Sequence, residues 1–155
     1  MTIEVVLADL ACEAHATVLV EIIDSYARGP GGQNAPITDC ARAEMARGLG
    51  ANPNAEVLLG IVDGKAVGVA VCVRGFSTFA GKPSVNINDF AVLPEYRDRG
   101  VGHALLADVE RRARDRGCCK ITLEVHDTNG GAKRLYESDG FGPWDVPTLF
   151  VTKPL

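Results

Sequence analysis

Short apolar runs punctuated by turn residues alternate along this chain with segments whose apolar positions recur at helical spacing. Thr2–Ala8 (TIEVVLA) predicts a first strand. Leu19, Ile22, Ile23 and Tyr26 then fall on one helical stripe, and Asp9 is the expected N-cap of a helix running to Tyr26. Arg28–Thr38 (RGPGGQNAPIT) is the richest Gly/Pro stretch and must be a loop, after which Thr38 caps a second helix through about Leu49. Two apolar runs within Glu56–Gly75 flank Asp63-Gly64, a pair suited to the positive φ angles of a tight hairpin turn. Phe76–Ser84 reads as a loop, and Val85–Leu93 (VNINDFAVL) as a strand stopped by Pro94.

A helix from Gly100 to about Arg116 follows. Val101, Leu105, Val109 and Ala113 share its apolar face, with Leu106 beside them, and Gly117 ends it. Cys118–Val125 (CCKITLEV) predicts a buried strand, Gly130–Gly140 a short helix, and Thr148–Lys153 (TLFVTK) a last strand. No repeat, linker or low-complexity tract interrupts this order. Strand, two helices, a hairpin feeding a third strand, then β-α-β-α-β argue one α/β domain around a central sheet.

Composition narrows the function classes. The 155 residues carry a net charge of −4, with 46% hydrophobic and 23% charged residues. That is enough chain for a core without metal or disulfide staples. The acidic balance gives no basic stripe for nucleic acid, and no apolar run approaches the ~18 residues of a membrane helix. The first residues have no basic lead, so they read as a strand rather than a signal peptide. Five cysteines without C-x-x-C or His-rich spacing suggest reduced thiols in a cytoplasmic protein and no metal site.

The chemistry concentrates in LPEYRDRGVGHALL, Leu93–Leu106. Within six residues of Pro94 a helix starts, and its connecting turn holds Gly100 and Gly102. Glycine permits unusual φ there and removes a Cβ that would block a close ligand. First-turn amides lack partners, and with the helix dipole they make an anion site. Arg97 and Arg99 add positive charge. The pattern is R-x-x-G-x-G. It is neither a Gly-Lys-Ser/Thr phosphate loop nor a G-x-G-x-x-G dinucleotide turn, since position 105 is leucine.

Joined to the downstream LEVHDTNGGAKRLYESDGFG, this stretch resembles the core of the GCN5-related N-acetyltransferase (GNAT) superfamily, over about Val85 to Gly142. The resemblance implies a single GNAT-like α/β domain over residues 1–155. Its mixed, mostly antiparallel sheet would have splayed strands and flanking helices. It implies acetyl-CoA as co-substrate, with the pyrophosphate on the backbone amides of Asp98, Arg99, Gly100, Val101, Gly102 and His103, and Arg97 beside them. Phe90, Ala91 and Val92 would pair with the pantetheine arm as an added strand, and a backbone amide at that strand end would face the developing oxyanion. Asn129 matches an asparagine that often contacts the cofactor, and Tyr136 a tyrosine that protonates the departing thiolate.

An ammonium cannot attack a thioester until it loses a proton. Glu124 is the first candidate base and Asp89 the second, with His126 and His103 as candidate shuttles. The reaction implied is direct acetyl transfer to the primary amine of a small or amino-acid-like acceptor, without metal. The carboxylates favour a cationic acceptor. The acceptor would bind against the first two helices and the loops Ala27–Thr38 and Gly75–Ser84, where Phe76 and Phe79 line a pocket, form a dimer contact or tuck onto the core. A protein N-terminal or lysine acetyltransferase and a non-catalytic acetyl-CoA sensor are the alternatives. The resemblance admits a homodimer, since dimers are common among family members.

Overall fold

A computed structural model describes all 155 residues. Strands β1 (Ile3–Leu7), β2 (Ala55–Val62), β3 (Lys65–Ser77), β4 (Lys82–Val92) and β5 (Ile121–Leu123) form one sheet in the order β1-β2-β3-β4-β5. The first three pairings are antiparallel, and β4 with β5 is parallel. Helices α1 (Glu13–Arg28) and α2 (Asp39–Ala51) precede β2. Helix α3 (Val101–Asp115) joins β4 to β5, and α4 (Gly130–Ser138) follows β5. The family likeness read from the sequence therefore agrees with the mixed, mostly antiparallel sheet and its flanking helices.

Alternation along the strands sends apolar side chains to both faces. Leu58, Ala70, Val85 and Ile87 pack with Val101, Leu105, Leu106 and Val109 of α3 and with Tyr136 of α4. Their neighbours Val57, Leu59, Val69, Val71 and Ala91 pack on the opposite face with Leu19, Ile22 and Ile23 of α1. A strand buried on both sides must be apolar at successive positions, as in the unbroken run around β3. Asp63 (φ 48°) and Gly64 (φ 82°) make the expected β2–β3 turn. Thr38 caps α2 by accepting a hydrogen bond from the Ala41 N–H at 3.1 Å.

Several elements differ from the sequence expectation. Helix α1 starts at Glu13 with Cys12 as N-cap, because the Asp9 carboxylate accepts from the Ala11 N–H at 3.0 Å and closes a local turn. Most of the expected Phe76–Ser84 loop is strand: β3 and β4 pair as far as Ser77 and Lys82. Phe76 and Phe79 stand out into solvent at this hairpin and do not tuck onto the core. Strand β5 is only three residues long. Cys118 and Cys119 precede it, half-buried and exposed respectively, because a strand paired on one side has no layer to seal its start. Thr148–Lys153 forms no strand. Alternation supplies a face, but the segment finds no partner edge, and Leu149, Phe150 and Val151 remain exposed.

Candidate active site

The site begins at an irregularity in β4. Val71 of β3 faces Asp89, yet Cys72 faces Ile87, so Asn88 is an extra residue in a β-bulge. A bulge bends its strand and sharpens the twist. On the other side, β4 pairs with β5 only at Val85↔Ile121, Asn86↔Thr122 and Ile87↔Leu123. Beyond Ile87 the two strands part. Residues Asn88–Val92 therefore keep an edge without a strand partner, ending where the Arg97 Nε donates to the Val92 carbonyl at 3.0 Å. Arg97, read from the sequence as added charge, also ties the following loop to the end of β4.

A single 3₁₀ turn, Pro94–Tyr96, leads from β4 to α3. Asp98 (φ 57°) and Gly100 (φ 87°) both adopt left-handed conformations, and Gly100 is the N-cap of α3. None of the N–H groups from Asp98 to His103 donates to a carbonyl or side chain of the protein; the first bond in this region runs from the Ala104 N–H to the Gly100 carbonyl. Six successive amides without protein partners at a positive helix end suit an anion in sign. Gly102 has a further role that the sequence did not disclose. A Cβ there would sit 2.9 Å from Leu135 Cδ2, so the missing side chain is space filled by α4. His103 bonds Asp139 at 2.9 Å, a second tie between α3 and α4.

Asn129 caps α4 by accepting from the Ala132 N–H at 3.1 Å. Within α4, Tyr136 is 6% exposed, and its ring meets Phe90 and Phe141 edge to face, with centroids 5.9 and 5.7 Å away. Burial first, and the neighbouring Tyr26 second, push its phenol up to about 12. It therefore stays protonated and able to donate. Its hydroxyl has no protein hydrogen-bond partner and is not sealed from solvent.

On the opposite face, α1, α2 and β3–β4 enclose an open cleft of about 420 Å³, lined by Ile23, Met45, Leu49 and Val71, with Glu44, Asn88 and Asp89 as polar members. Asp89 keeps an open side to solvent, but the protein beneath it strips part of its hydration and raises its carboxyl above the usual range. Glu124 lies one residue past β5, exposed and without a hydrogen bond or ion pair. His126 is likewise exposed. The structure thus brings Asp89 into the cleft and leaves Glu124 outside its lining. Phe76 and Phe79 do not line this cleft either.

Residues 18–141 match the family model for the acetyltransferase (GNAT) family. This chain is a member of that family. The bovine (Bos taurus) thialysine N-epsilon-acetyltransferase is 30% identical over 121 residues, covering 78% of this chain and 65% of that protein. The mycothiol acetyltransferase of Nocardiopsis dassonvillei is 37% identical over 71 residues, 46% of this chain and 22% of that one. Our GNAT chain thus spans less than two thirds of the length of these relatives. Among solved structures, a ribosomal-protein-alanine N-acetyltransferase from Brucella melitensis superposes with a TM-score of 0.75 at 21% identity, over 98% of this chain and 100% of that chain. At that identity the likeness speaks for the fold.

The sequence reading missed the bulge at Asn88 and the position of Tyr26, which lies within reach of the charges of Asp89 and Arg97. Tyr26 fell on the apolar stripe of α1 and read as core. No group of three or more His, Cys, Asp or Glu side chains is arranged to hold a metal.

Proposed function

We propose that this GNAT protein, one domain over residues 1–155, transfers the acetyl group of acetyl-CoA to the primary amine of a small, amino-acid-like acceptor. The observation that carries the reading is the meeting of three features at one gap. These are the unpartnered edge of β4, the six free amides of Asp98–His103, and the unbonded hydroxyl of Tyr136. Each suits one part of the donor: the β4 edge at Phe90 and Ala91 its amide-bearing arm, the amides its diphosphate, and the phenol its sulfur. Acetyl-CoA supplies an acyl group activated as a thioester.

Asp89 takes the proton from the incoming ammonium, a task suited to a carboxylate whose basicity burial has raised. Tyr136 gives its phenolic proton to the departing sulfur. Glu124 is the reserve base, reached through water. The cleft volume suits a small molecule, and the Asp89 carboxylate favours a cation there, Glu44 being paired with Arg47. Bovine thialysine N-epsilon-acetyltransferase, by its name, acts on an amine of this kind, which supports the acceptor class.

The test is acetyl-CoA binding by calorimetry, followed by thiol release against amines, diamines, basic amino acids, thiols and peptides. Binding with release by amines supports the reading. Release with peptides alone moves the acceptor to protein, and absence of binding removes the donor site.

A further inference from the structure

We propose that Tyr26 is a positioning residue for this transfer, holding the Gly29–Gln33 turn as a roof across the gap between β4 and β5. The proposal rests on reading that gap as the donor site. Tyr26 stands two residues before the end of α1, half-buried, and its hydroxyl donates to the Gly31 carbonyl at 2.6 Å. On one side the ring packs against the cluster that contains Ala91 of β4. On the other, the turn it holds reaches the cap of α4. A Cβ on Gly31 would lie 3.2 Å from Tyr26 Cε2 and 3.4 Å from Asn129 Nδ2. The Tyr26 ring and the turn it holds together therefore run from the cluster around Ala91 of β4 to Asn129 at the start of α4.

The glycines follow from this closeness. At Gly32 a Cβ would meet the Tyr26 carbonyl oxygen at 2.5 Å and Ala27 Cα at 2.6 Å, both rigid backbone. The far end of the loop is anchored independently. The Gln33 N–H donates to the Ala27 carbonyl at 2.9 Å, and the Ile37 N–H to the Asp24 carboxylate at 3.0 Å. Within Gly29–Gln33 the Tyr26 hydroxyl is the one side-chain group that bonds the turn, whereas the Gln33 side chain bonds further on, to the Ala35 and Pro36 carbonyls. Electrostatics agree with this location. Burial and then the charge of Asp89 raise the Tyr26 phenol, Arg97 opposes them, and Tyr26 in turn raises Tyr136. A roof here limits water at the thioester and leaves the α1–α2 cleft, past Asp89, as the route for the amine.

The first measurement is acetyl-CoA binding to the wild-type protein by calorimetry. A wild-type protein that binds none overturns the donor-site reading, and with it this one. With binding established, Tyr26→Phe keeps the ring and removes one hydrogen bond, so affinity should fall about 3- to 10-fold. Acceptor-independent hydrolysis of acetyl-CoA should rise severalfold relative to transfer, while the melting temperature stays close to wild type. Hydrogen exchange on wild-type protein adds a measurement free of any folding defect: peptides spanning residues 29–37 should gain protection when acetyl-CoA binds. Unchanged binding and hydrolysis in Tyr26→Phe, or unchanged protection in the wild type with acetyl-CoA bound, overturns the role of Tyr26 alone.

Discussion

Gly102 of α3 and Leu135 of α4 share one space, with the Leu135 side chain lying where a Cβ on residue 102 would be. Tyr136 is the next residue. Helix α4 therefore rests on the same turn that carries the unpartnered amides, so those amides and the phenol are held by one packing contact. Gly102→Ala should displace α4. Ala gains helix propensity, but overpacking outweighs it, for a net loss of about 1 kcal/mol in denaturant unfolding. Turnover should fall about tenfold as Tyr136 moves, since small misplacements at a reacting centre are costly. Adding Leu135→Ala to Gly102→Ala should restore part of the turnover, which a double-mutant cycle would quantify.

Tyr136→Phe should lower turnover about 100-fold, the lower range for loss of a general acid, with acetyl-CoA affinity within about twofold of wild type. Because the phenol is pushed up to about 12, Tyr136 should remain a donor in the wild-type enzyme through pH 10. A rate that falls with an apparent pKa of 8–9, and loses that limb in the Phe variant, would contradict the donor role.

Asp89 gives opposite expectations for activity and stability. Its folded carboxyl is raised by burial, so the folded state holds its proton more tightly than the unfolded chain. Stability from this group thus declines as pH rises from the ordinary carboxylate range through the raised value. Asp89→Asn should leave the fold as stable as wild type, or slightly more so, at pH 7. The same substitution should cut kcat/KM at least tenfold and remove the acidic limb of its pH profile. Thermal melts and pH–rate profiles on the same two proteins check both parts.

Asp24 has the reverse sign. Its bond from Arg28, the Ile37 N–H and Arg42 lower its carboxyl from 3.8 to about 2. The stabilisation it provides is present above pH 4 and lost as pH falls toward 2. Asp24→Asn should melt below wild type at pH 7, with the difference narrowing steadily on acidification. A constant difference would mean that the amide disturbs packing rather than charge.

The repeats of Leu19, Ile22 and Ile23 and of Val101, Leu105 and Val109 were enough to identify two core-facing helices, because a buried stripe forces apolar residues to recur at the helical period. Asp63-Gly64 and Thr38 were legible for a similar reason: a turn or cap is satisfied by residues within a few positions of one another. Gly100 was legible because left-handed backbone at a helix start leaves few choices of residue, whereas Gly102 is required by Leu135 and Arg97 ties to the Val92 carbonyl, contacts that only packing sets. The last strand at Thr148–Lys153 failed because alternation says nothing about whether an edge is available to pair with.

By itself, then, the sequence determined the helix faces, the hairpin, the turn at Arg97–Gly102 and the family. Each of these is written in residues near one another in the chain. Only the tertiary structure decided that the bulge at Asn88 parts β4 from β5, and that Leu135 claims the space beside Gly102. It also turned Tyr26 from a core aromatic into a neighbour of Asp89, Arg97 and Tyr136, and put Asp89 rather than Glu124 in the cleft. These are contacts between elements tens of residues apart. Their energies depend on the distance and dielectric that packing sets, and no local pattern of residues encodes those quantities.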